Sequence, residues 1–440
     1  MTVYIDANPP YVFKEYIDKL IKVGVLDAGS ALRGPSQELV KLPPSWYHDS
    51  RGPVFDRIPV GPDDNDLYQQ HEGQPLGERI TLFGRVLDID GNGVPGALLE
   101  IWQANAGGRY VDPTDPGFNP LDPNFTGVGR CITDSTGAYR FFTIRPAPYA
   151  GIRGDVHRPA HIHVSVMAWD LSSRLITQCY FPGDRLVGQD WIATSIMDWK
   201  ALRRLTASLR GDMLEPTGVD TTLAYEWDIV LRGHAPNGAQ ARGALTPSKV
   251  SHVPDPALLL RRFEDEIPED LAAAPDVTSP SQTIGPLYAG LMFDGAEIAA
   301  APDDPNRVVV RGRILDGTGR PIPYPAVMVE VWEGEQFART RTDPQGEFRA
   351  VLRKPEKQHL PDGEPLAPYF HVTVFAQGLL KQAQTRLYFP DEAQANAADP
   401  VLQAVPAERR STLVARRAEG GDLVFDVAMQ GPSETVFFGF

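Results

Sequence analysis

Short apolar runs, separated by turns that contain glycine and aspartate, recur along most of this 440-residue chain. In the first half the runs are 79–87, 97–102, 131–133, 139–142, 161–168, 175–181 and 223–231. Several such runs at short intervals are typical of the strands of a β-sandwich. Apolar residues at helical spacing interrupt them at 192–209, where Ile196, Trp199, Leu202, Leu205 and Leu209 predict one helix on the sandwich.

Other stretches lack the alternation of strands. Helical spacing after Pro9-Pro10 predicts a short helix at 11–23, and the Pro-, Gly- and Asp-rich stretch 28–75 predicts an extended arm. The sequence around 234–256 is the best candidate for a linker, and a short helix is predicted at 256–266 before a second Pro/Ser-rich stretch.

The pattern of the first half recurs in the second. Residues 84–88 recur at 312–316, 99–102 at 329–332, 163–166 at 371–374, and 180–182 at 388–390. Because the matches keep their order, they indicate an internal duplication. We therefore expect an all-β protein with two tandem homologous β-sandwich domains, short helices and an extended N-terminal arm. The expected division is 1–75 for the helix and arm, 76–245 for the first sandwich, 246–285 for a linker and second arm, and 286–440 for the second sandwich.

Composition narrows the range of partners. The net charge of −15 argues against a nucleic-acid or anionic-membrane partner. The two cysteines, Cys131 and Cys179, lie in apolar runs and are expected to be reduced. The N-terminus has no basic region followed by an apolar core, and no later run approaches a membrane span. These features predict a soluble, cytoplasmic protein.

His161 and His163 alternate with apolar residues in a predicted strand, so both project from the same face. They are either part of a metal site or an ordinary pair in which one histidine is buried and the other exposed. The duplication helps to decide between these two interpretations, because His163 recurs as His371 whereas Tyr369 stands in place of His161. His161 is therefore not explained by the shared scaffold.

Two tyrosines are likewise confined to the first half. Gln358 stands where Tyr149 is expected, and the loop that carries Tyr110 has no counterpart in the second half. Two phenolates and two imidazoles are an unusual set of ligands, since zinc and copper sites normally rely on other combinations. Phenolate oxygens are hard donors that favour Fe(III), for which a redox-passive Lewis-acid role is expected.

At these residues the chain resembles the intradiol ring-cleaving catechol dioxygenases. The blocks that carry the resemblance are 102–110, 121–125, 158–163, 175–178 and 281–286, with 385–389 and 434–438 near the end of the chain. The first half resembles the iron-bearing β subunit of the branch that cleaves protocatechuate. The second half resembles the α subunit, here fused to the first in one chain.

The resemblance implies a site and a reaction. Tyr110, Tyr149, His161 and His163 would be the Fe(III) ligands, with Tyr149 also catalytic because a chelating catechol displaces it. Arg158 and Gln178 would be catalytic residues beside the iron, and Thr283, Gly285 and Arg386 would contact the substrate. A catecholic aromatic acid, most directly protocatechuate, would be cleaved with O₂ to 3-carboxy-cis,cis-muconate. A homo-oligomer is the assembly that the family implies.

Three positions depart from the family pattern, namely Gly151, Leu287 and Asp27, where the family has aromatic side chains around the substrate. Gallate, hydroxyquinol or a substituted catechol therefore remain alternative substrates. An iron-free β-sandwich that binds a ligand or partner is the alternative from another functional class. The sequence leaves open whether the two halves pair within one chain or between chains.

Overall fold

The computed structural model describes residues 28–43, 46, 55, 58–150, 157–169, 173–196, 199–210, 222–233, 277–285, 287–334, 336–360 and 363–439. The helices predicted at 11–23 and 256–266, the linker at 234–256, and the positions of Asp27 and Gly151 lie outside these residues. Within them, the chain is a tandem pair of β-sandwiches, as the sequence predicts.

An N-terminal strand, β1 (Val40–Lys41), precedes the first sandwich, called here the first copy. The strands of the first copy are β2 (Arg79–Leu87), β3 (Leu98–Gln103), β4 (Val128–Ile132), β5 (Ala138–Ile144), β6 (Tyr149–Ala150), β7 (His157–Arg158), β8 (His161–Met167), β9 (Leu175–Tyr180), β10 (Ser208–Leu209), β11 (Leu223–Glu226) and β12 (Ile229–Val230). One sheet has the order β4-β3-β8-β9, and the other has the order β10-β11-β2-β12 with β5 paired to β2. Strand β2 alternates between buried and more exposed residues, as expected for a sheet with one face on the core.

The second copy repeats this plan. Its strands are β13 (Arg307–Leu315), β14 (Val327–Glu333), β15 (Gln336–Arg341), β16 (Glu347–Arg353), β17 (Tyr369–Ala376), β18 (Ala383–Tyr388), β19 (Arg416–Arg417), β20 (Leu423–Val424), β21 (Val427–Ala428) and β22 (Phe438–Gly439). The order β15-β14-β17-β18 corresponds to β4-β3-β8-β9, which confirms the duplication, and β22 and β1 extend this sheet. Strand β1 pairs in parallel with β22, so this part of the arm lies on the second copy.

Helices are short. The α-helices are α1 (Trp199–Arg204), α2 (Ala393–Ala398) and α3 (Pro400–Ala404), and the 3-10 helices are Ala28–Leu32, Val187–Gln189, Ala193–Ser195, Ala289–Leu291 and Ala407–Leu413. No helix in the described part of the chain is long and apolar enough to cross a membrane. Cys131 and Cys179 are both free, as expected.

The single helix predicted over 192–209 is wrong. The structure has a 3-10 turn at Ala193–Ser195, the six-residue helix α1, and then the strand β10. The backbone of Tyr180 bonds to both Leu205 and Ala207, and Leu209 pairs with Tyr225 on β11. Pairing with the sheet therefore ends the helix, and Leu209, counted as a buried helical position, is 50% exposed.

The two copies pack sheet against sheet across a buried group of charges. Strands β3, β8 and β9 are buried along their whole length, because one face packs on their own sandwich and the other on the second copy. Glu100 on β3 accepts two hydrogen bonds of 2.9 Å from Arg339 on β15. Glu330 on β14 accepts from Arg339 and, at 2.9 and 3.1 Å, from Arg174. These ion pairs join the halves within one chain.

Candidate metal centre

Tyr110, Tyr149, His161 and His163 converge at one end of the first copy. Both histidines lie on β8, whose period of two places their ring centroids 4.8 Å apart on the same face. Their Nε2 atoms are 3.2 Å apart, and the Tyr149 hydroxyl lies 3.3 Å from His161 Nε2. Tyr110, on the loop after β3, stands edge-on to Tyr149 with ring centroids 5.5 Å apart. All four predicted ligands are therefore brought together.

Both imidazoles are buried and neutral. His161 and His163 are 1% and 2% exposed, so the alternative in which one of them is exposed is wrong. The Nδ1–H of His161 donates to the Pro159 carbonyl oxygen at 2.7 Å, and because a carbonyl only accepts, Nε2 is left with its lone pair. Burial, reinforced by the Arg158 guanidinium, lowers the pKa of both histidines well below the ordinary value. Neutral imidazole is the form that binds metals.

The two phenols require a nearby cation in order to ionise. Tyr110 is buried, and its hydroxyl forms no well-aligned hydrogen bond among the described residues. Burial raises the pKa of Tyr110 well above the ordinary value, and the neighbouring Tyr149 raises it further. Burial also raises the pKa of Tyr149, although Arg158 offsets part of this effect. A bound metal ion would supply the missing positive charge and displace the phenol protons.

The donor set fits one hard metal ion. Ligands about 2.1 Å from a metal and at right angles to each other lie roughly 3 Å apart. The distances of 3.2 and 3.3 Å at His161 Nε2 are close to that separation. The described residues contain no group of three or more His, Cys, Asp and Glu side chains that could hold a metal, so a site here depends on the two phenols. Phenolate oxygens combined with imidazoles favour Fe(III) over softer ions.

The ring of His163 is held between the two halves of the chain. On one side it stacks on the indole of Trp102, with centroids 4.7 Å apart and planes inclined by 8°. Gly285, in the segment that leads into the second copy, also lies against the ring, because an added Cβ there would stand 2.5 Å from His163 Cε1. Gly285, predicted from resemblance to contact the substrate, therefore packs directly on the ring of a predicted metal ligand.

Gly285→Ala is expected to reduce bound iron and oxygen uptake at least tenfold. The added methyl group must displace the His163 ring, and the ring's stacking on Trp102 restricts that movement. Gly420→Ala is the matched control, since an added Cβ there meets no atom within 4 Å. Metal analysis and oxygen consumption provide the measurement, and equal iron content in the two variants would contradict this role of Gly285.

A buried ion pair stands beside the four donors. Arg158 donates from Nε and Nη2 to the two carboxylate oxygens of Asp190 at 3.0 and 3.1 Å, and from Nη2 to Gln178 Oε1 at 2.6 Å. Burial alone would lower the pKa of Arg158, but Asp190 and the nearby phenols raise it above the ordinary value. Sequence reasoning missed Asp190. A weak signal was available in the repeat, because Asp190 follows Tyr180 by 10 positions (190 − 180) and Asp399 follows Tyr388 by 11 (399 − 388), and each tyrosine hydroxyl bonds to its aspartate in the structure.

The second copy has a counterpart of this site that lacks three of the four donors. His371 stacks on Trp332 at 4.1 Å, and its Nε2 lies 3.2 Å from the hydroxyl of Tyr369, the residue that replaces His161. Arg386 pairs with His371 across the strands as Gln178 pairs with His163. Its guanidinium carbon lies 4.0 Å from the centre of the Tyr369 ring. A guanidinium thus provides positive charge in this part of the second copy.

Arg386 is not brought to the four donors. Among the described residues it contacts Tyr388 and the rings of Tyr369 and Phe438, in the apolar cluster that contains Leu98 at the start of β3. Tyr110 and Trp102 belong to a different cluster, at the end of β3. Thr283 lies two residues before Gly285, and its Oγ1 accepts a hydrogen bond from the Gly378 amide at 3.0 Å.

Comparison with known proteins matches both halves. A family model described as Dioxygenase matches residues 50–233. The protocatechuate 3,4-dioxygenase beta chain of Burkholderia cepacia is 41% identical over 235 residues, covering 52% of this chain and 91% of that one. The alpha chain from the same organism is 41% identical over 191 residues, covering 36% of this chain and 96% of that one.

A catechol 1,2-dioxygenase of Acinetobacter baylyi is also similar, at 33% identity over 201 residues, which cover 42% of this chain and 58% of that protein. The beta- and alpha-chain relatives match different regions, as a fusion of two subunit types requires. On these similarities, the chain belongs to the intradiol ring-cleaving dioxygenase family.

Proposed function

We propose that this chain is an Fe(III)-dependent protocatechuate 3,4-dioxygenase in which one polypeptide supplies both subunit types, and that it forms a homo-oligomer. Its product would be 3-carboxy-cis,cis-muconate. The observation that supports the proposal is that the second half packs against the candidate metal centre of the first. Ile284 and Tyr288 pack with Trp102 and Tyr110 in one apolar cluster, and Leu287 lies against it. The α-like half is thus part of the site wall, and it is similar to the alpha chain of a protocatechuate dioxygenase.

Tyr110, Tyr149, His161 and His163 would hold the iron. When bound, Fe(III) supplies a Lewis-acid centre that chelates both hydroxyl oxygens of a catechol and makes the ring reactive toward O₂. Tyr149 is less buried than Tyr110, so it would be the more accessible of the two phenolates to a substrate. Its phenolate oxygen would then accept one of the catechol protons. Arg158 provides fixed positive charge next to the position where electron density moves onto the ring.

The second half would position the substrate. Thr283 Oγ1 accepts a hydrogen bond from Gly378, so the hydroxyl hydrogen remains free to point elsewhere. We assign that hydrogen to a substrate oxygen. Gly285 lies against His163 and has no side chain that would displace its ring. Gln178 binds the Arg158 guanidinium and thereby lines the same side of the site.

The test is oxygen uptake by purified protein of known iron content with protocatechuate, catechol, gallate and hydroxyquinol. We expect about one iron per chain, a kcat/KM for protocatechuate at least tenfold above that for catechol, and 3-carboxy-cis,cis-muconate as the product. Higher activity on another catechol would support intradiol cleavage but would show that protocatechuate is not the preferred substrate. A protein that binds no iron and consumes no oxygen would instead support a binding role for the sandwich.

A specific feature favours an alternative substrate in the same class. Leu287 stands where the family has an aromatic residue, and it lies against the cluster of Tyr110 and Trp102. An aliphatic side chain at this wall is smaller than an aromatic one, which would admit an additional ring substituent. Gallate and substituted catechols are therefore the second candidates, and the same assay ranks them.

A further inference from the structure

The same aspartate caps the same turn in both copies of the sandwich. Asp190 accepts the backbone N–H of Ala193 at 3.3 Å, and Asp399 accepts the backbone N–H of Leu402 at 2.9 Å. In each case the aspartate bonds to the residue three positions further on, which is an ordinary capping arrangement. This shared part of the aspartate's role belongs to the scaffold.

The copies differ in what the rest of the carboxylate binds. In the second copy Asp399 Oδ2 accepts the backbone N–H of Ala367 at 2.9 Å. The position that corresponds to Ala367 in the first copy is Pro159, which has no N–H to donate. In the first copy Arg158 donates to the carboxylate instead, with Nε 3.0 Å and Nη2 3.1 Å from the two oxygens of Asp190.

We propose that Asp190 is a positioning residue for the reaction. Pro159 leaves the Asp190 carboxylate free of the scaffold hydrogen bond, and the carboxylate then fixes the Arg158 guanidinium beside the metal donors. A two-pronged contact sets the plane of the guanidinium as well as its place, which a single hydrogen bond does not. This inference rests on the proposed function, because Arg158 matters only if negative charge develops at this site.

The orientation of the guanidinium leaves one edge for the substrate. Nε and Nη2 are engaged by Asp190 and Gln178, whereas no acceptor for Nη1 is found among the described residues. Asp190 is fully buried and Arg158 is 6% exposed, so water does not substitute easily for a lost partner. A shift of about 1 Å in such a group can cost roughly a hundredfold in rate.

Asp190→Asn is expected to lower kcat at least tenfold, with KM within threefold of wild type and iron content unchanged. Asparagine keeps a side-chain oxygen for the capping hydrogen bond but cannot accept from both donor nitrogens of Arg158. Asp399→Asn is the matched control, since it alters the same cap where no arginine is bound. We expect it to lower the melting temperature similarly and to leave kcat unchanged. Equal kcat in the two variants would overturn the proposal.

A measurement without turnover separates this inference from the proposed function. The Arg158 Nε–H signal, recorded by NMR with ¹⁵N-arginine after diamagnetic Ga(III) has replaced Fe(III) and assigned with Arg158→Lys, should be protected from exchange in wild type and in Asp399→Asn. It should lose protection in Asp190→Asn. Pro159→Ala restores an N–H that competes for Asp190, so it should weaken protection partially. Protection that survives Asp190→Asn refutes the positioning role, whereas a protected signal in a protein that cleaves no catechol refutes only the proposed function.

Discussion

Glu100→Gln is expected to destabilise the protein by about 3–5 kcal/mol and to abolish dioxygenase activity, because it breaks the ion pairs between the two copies. Glu100 is fully buried and accepts from both terminal nitrogens of Arg339 and, at 3.1 Å, from Arg130 Nε. A neutral amide leaves the Arg339 guanidinium buried with only Glu330, which also binds Arg174, to balance its charge. Activity depends on the same contact, since the second copy forms a wall of the metal centre.

The measurement is the urea midpoint as a function of pH. Burial raises the pKa of Glu100, but Arg339 and the other guanidinium groups lower it more, to about 2. A carboxyl whose pKa is depressed on folding stabilises the folded state above its unfolded pKa of about 4.5, and that stabilisation is lost as the pH falls towards 2. In the wild type the urea midpoint should therefore fall as the pH is lowered from about 4.5 towards 2. In Glu100→Gln that fall should be smaller.

Glu347→Gln is the control for this experiment, because its ion pair with Arg313 is about half exposed and contributes little. If Glu100→Gln shifts the urea midpoint no more than Glu347→Gln does, the buried charges do not hold the copies together.

The duplication explains why so much of the site could be predicted from one sequence. Residues that serve the sandwich recur in both copies, as Trp102 and Trp332 do by stacking on His163 and His371. Residues that serve the metal need not recur. Comparing the copies therefore singles out His161 without an alignment of relatives, and the structure places it among the other predicted donors.

Ion pairs and hydrogen bonds between residues far apart in the sequence could not be predicted in this way. Glu100 and Glu330 recur at the same place in two apolar strands, yet spacing alone cannot reveal that both meet Arg339 across the copies. Arg158 donates to Asp190, 32 positions away in the sequence. The carboxylate can accept this hydrogen bond because Pro159 has no backbone N–H that would bind to it. The prediction of one helix over 192–209 is wrong for a related reason. Residues 208–209 pair with strand β11, and this pairing outweighs the helical spacing of the apolar residues.

Arg386 shows how a recurring position can change its role. A motif match suggested a substrate contact, whereas in the structure the residue corresponds to Gln178 and packs on Tyr369 of the second copy. The scaffold retains the strand position and its burial. What differs is the source of positive charge, which would be a metal ion in the first copy and is a guanidinium in the second.

His163→Ala is expected to lower iron affinity and dioxygenase activity by more than a hundredfold. Changes to groups that only support a metal ligand already cost about 10- to 100-fold, and His163 would be a ligand itself. Its Nε2 lies 3.2 Å from that of His161, and the ring contacts both Trp102 and Gly285. Metal analysis, the visible absorption of tyrosinate bound to Fe(III), and oxygen uptake measure the loss.

His371→Ala separates loss of the ligand from loss of packing. His371 occupies the same strand position in the second copy, is buried, and stacks on Trp332 as His163 stacks on Trp102. Both substitutions remove a buried ring of the same size, so both should lower the melting temperature by several degrees. Only His163→Ala should lose the iron and the colour. A coloured, iron-replete His163→Ala protein, or an equal loss of iron in His371→Ala, would show that the donors gathered on the first copy do not hold the metal.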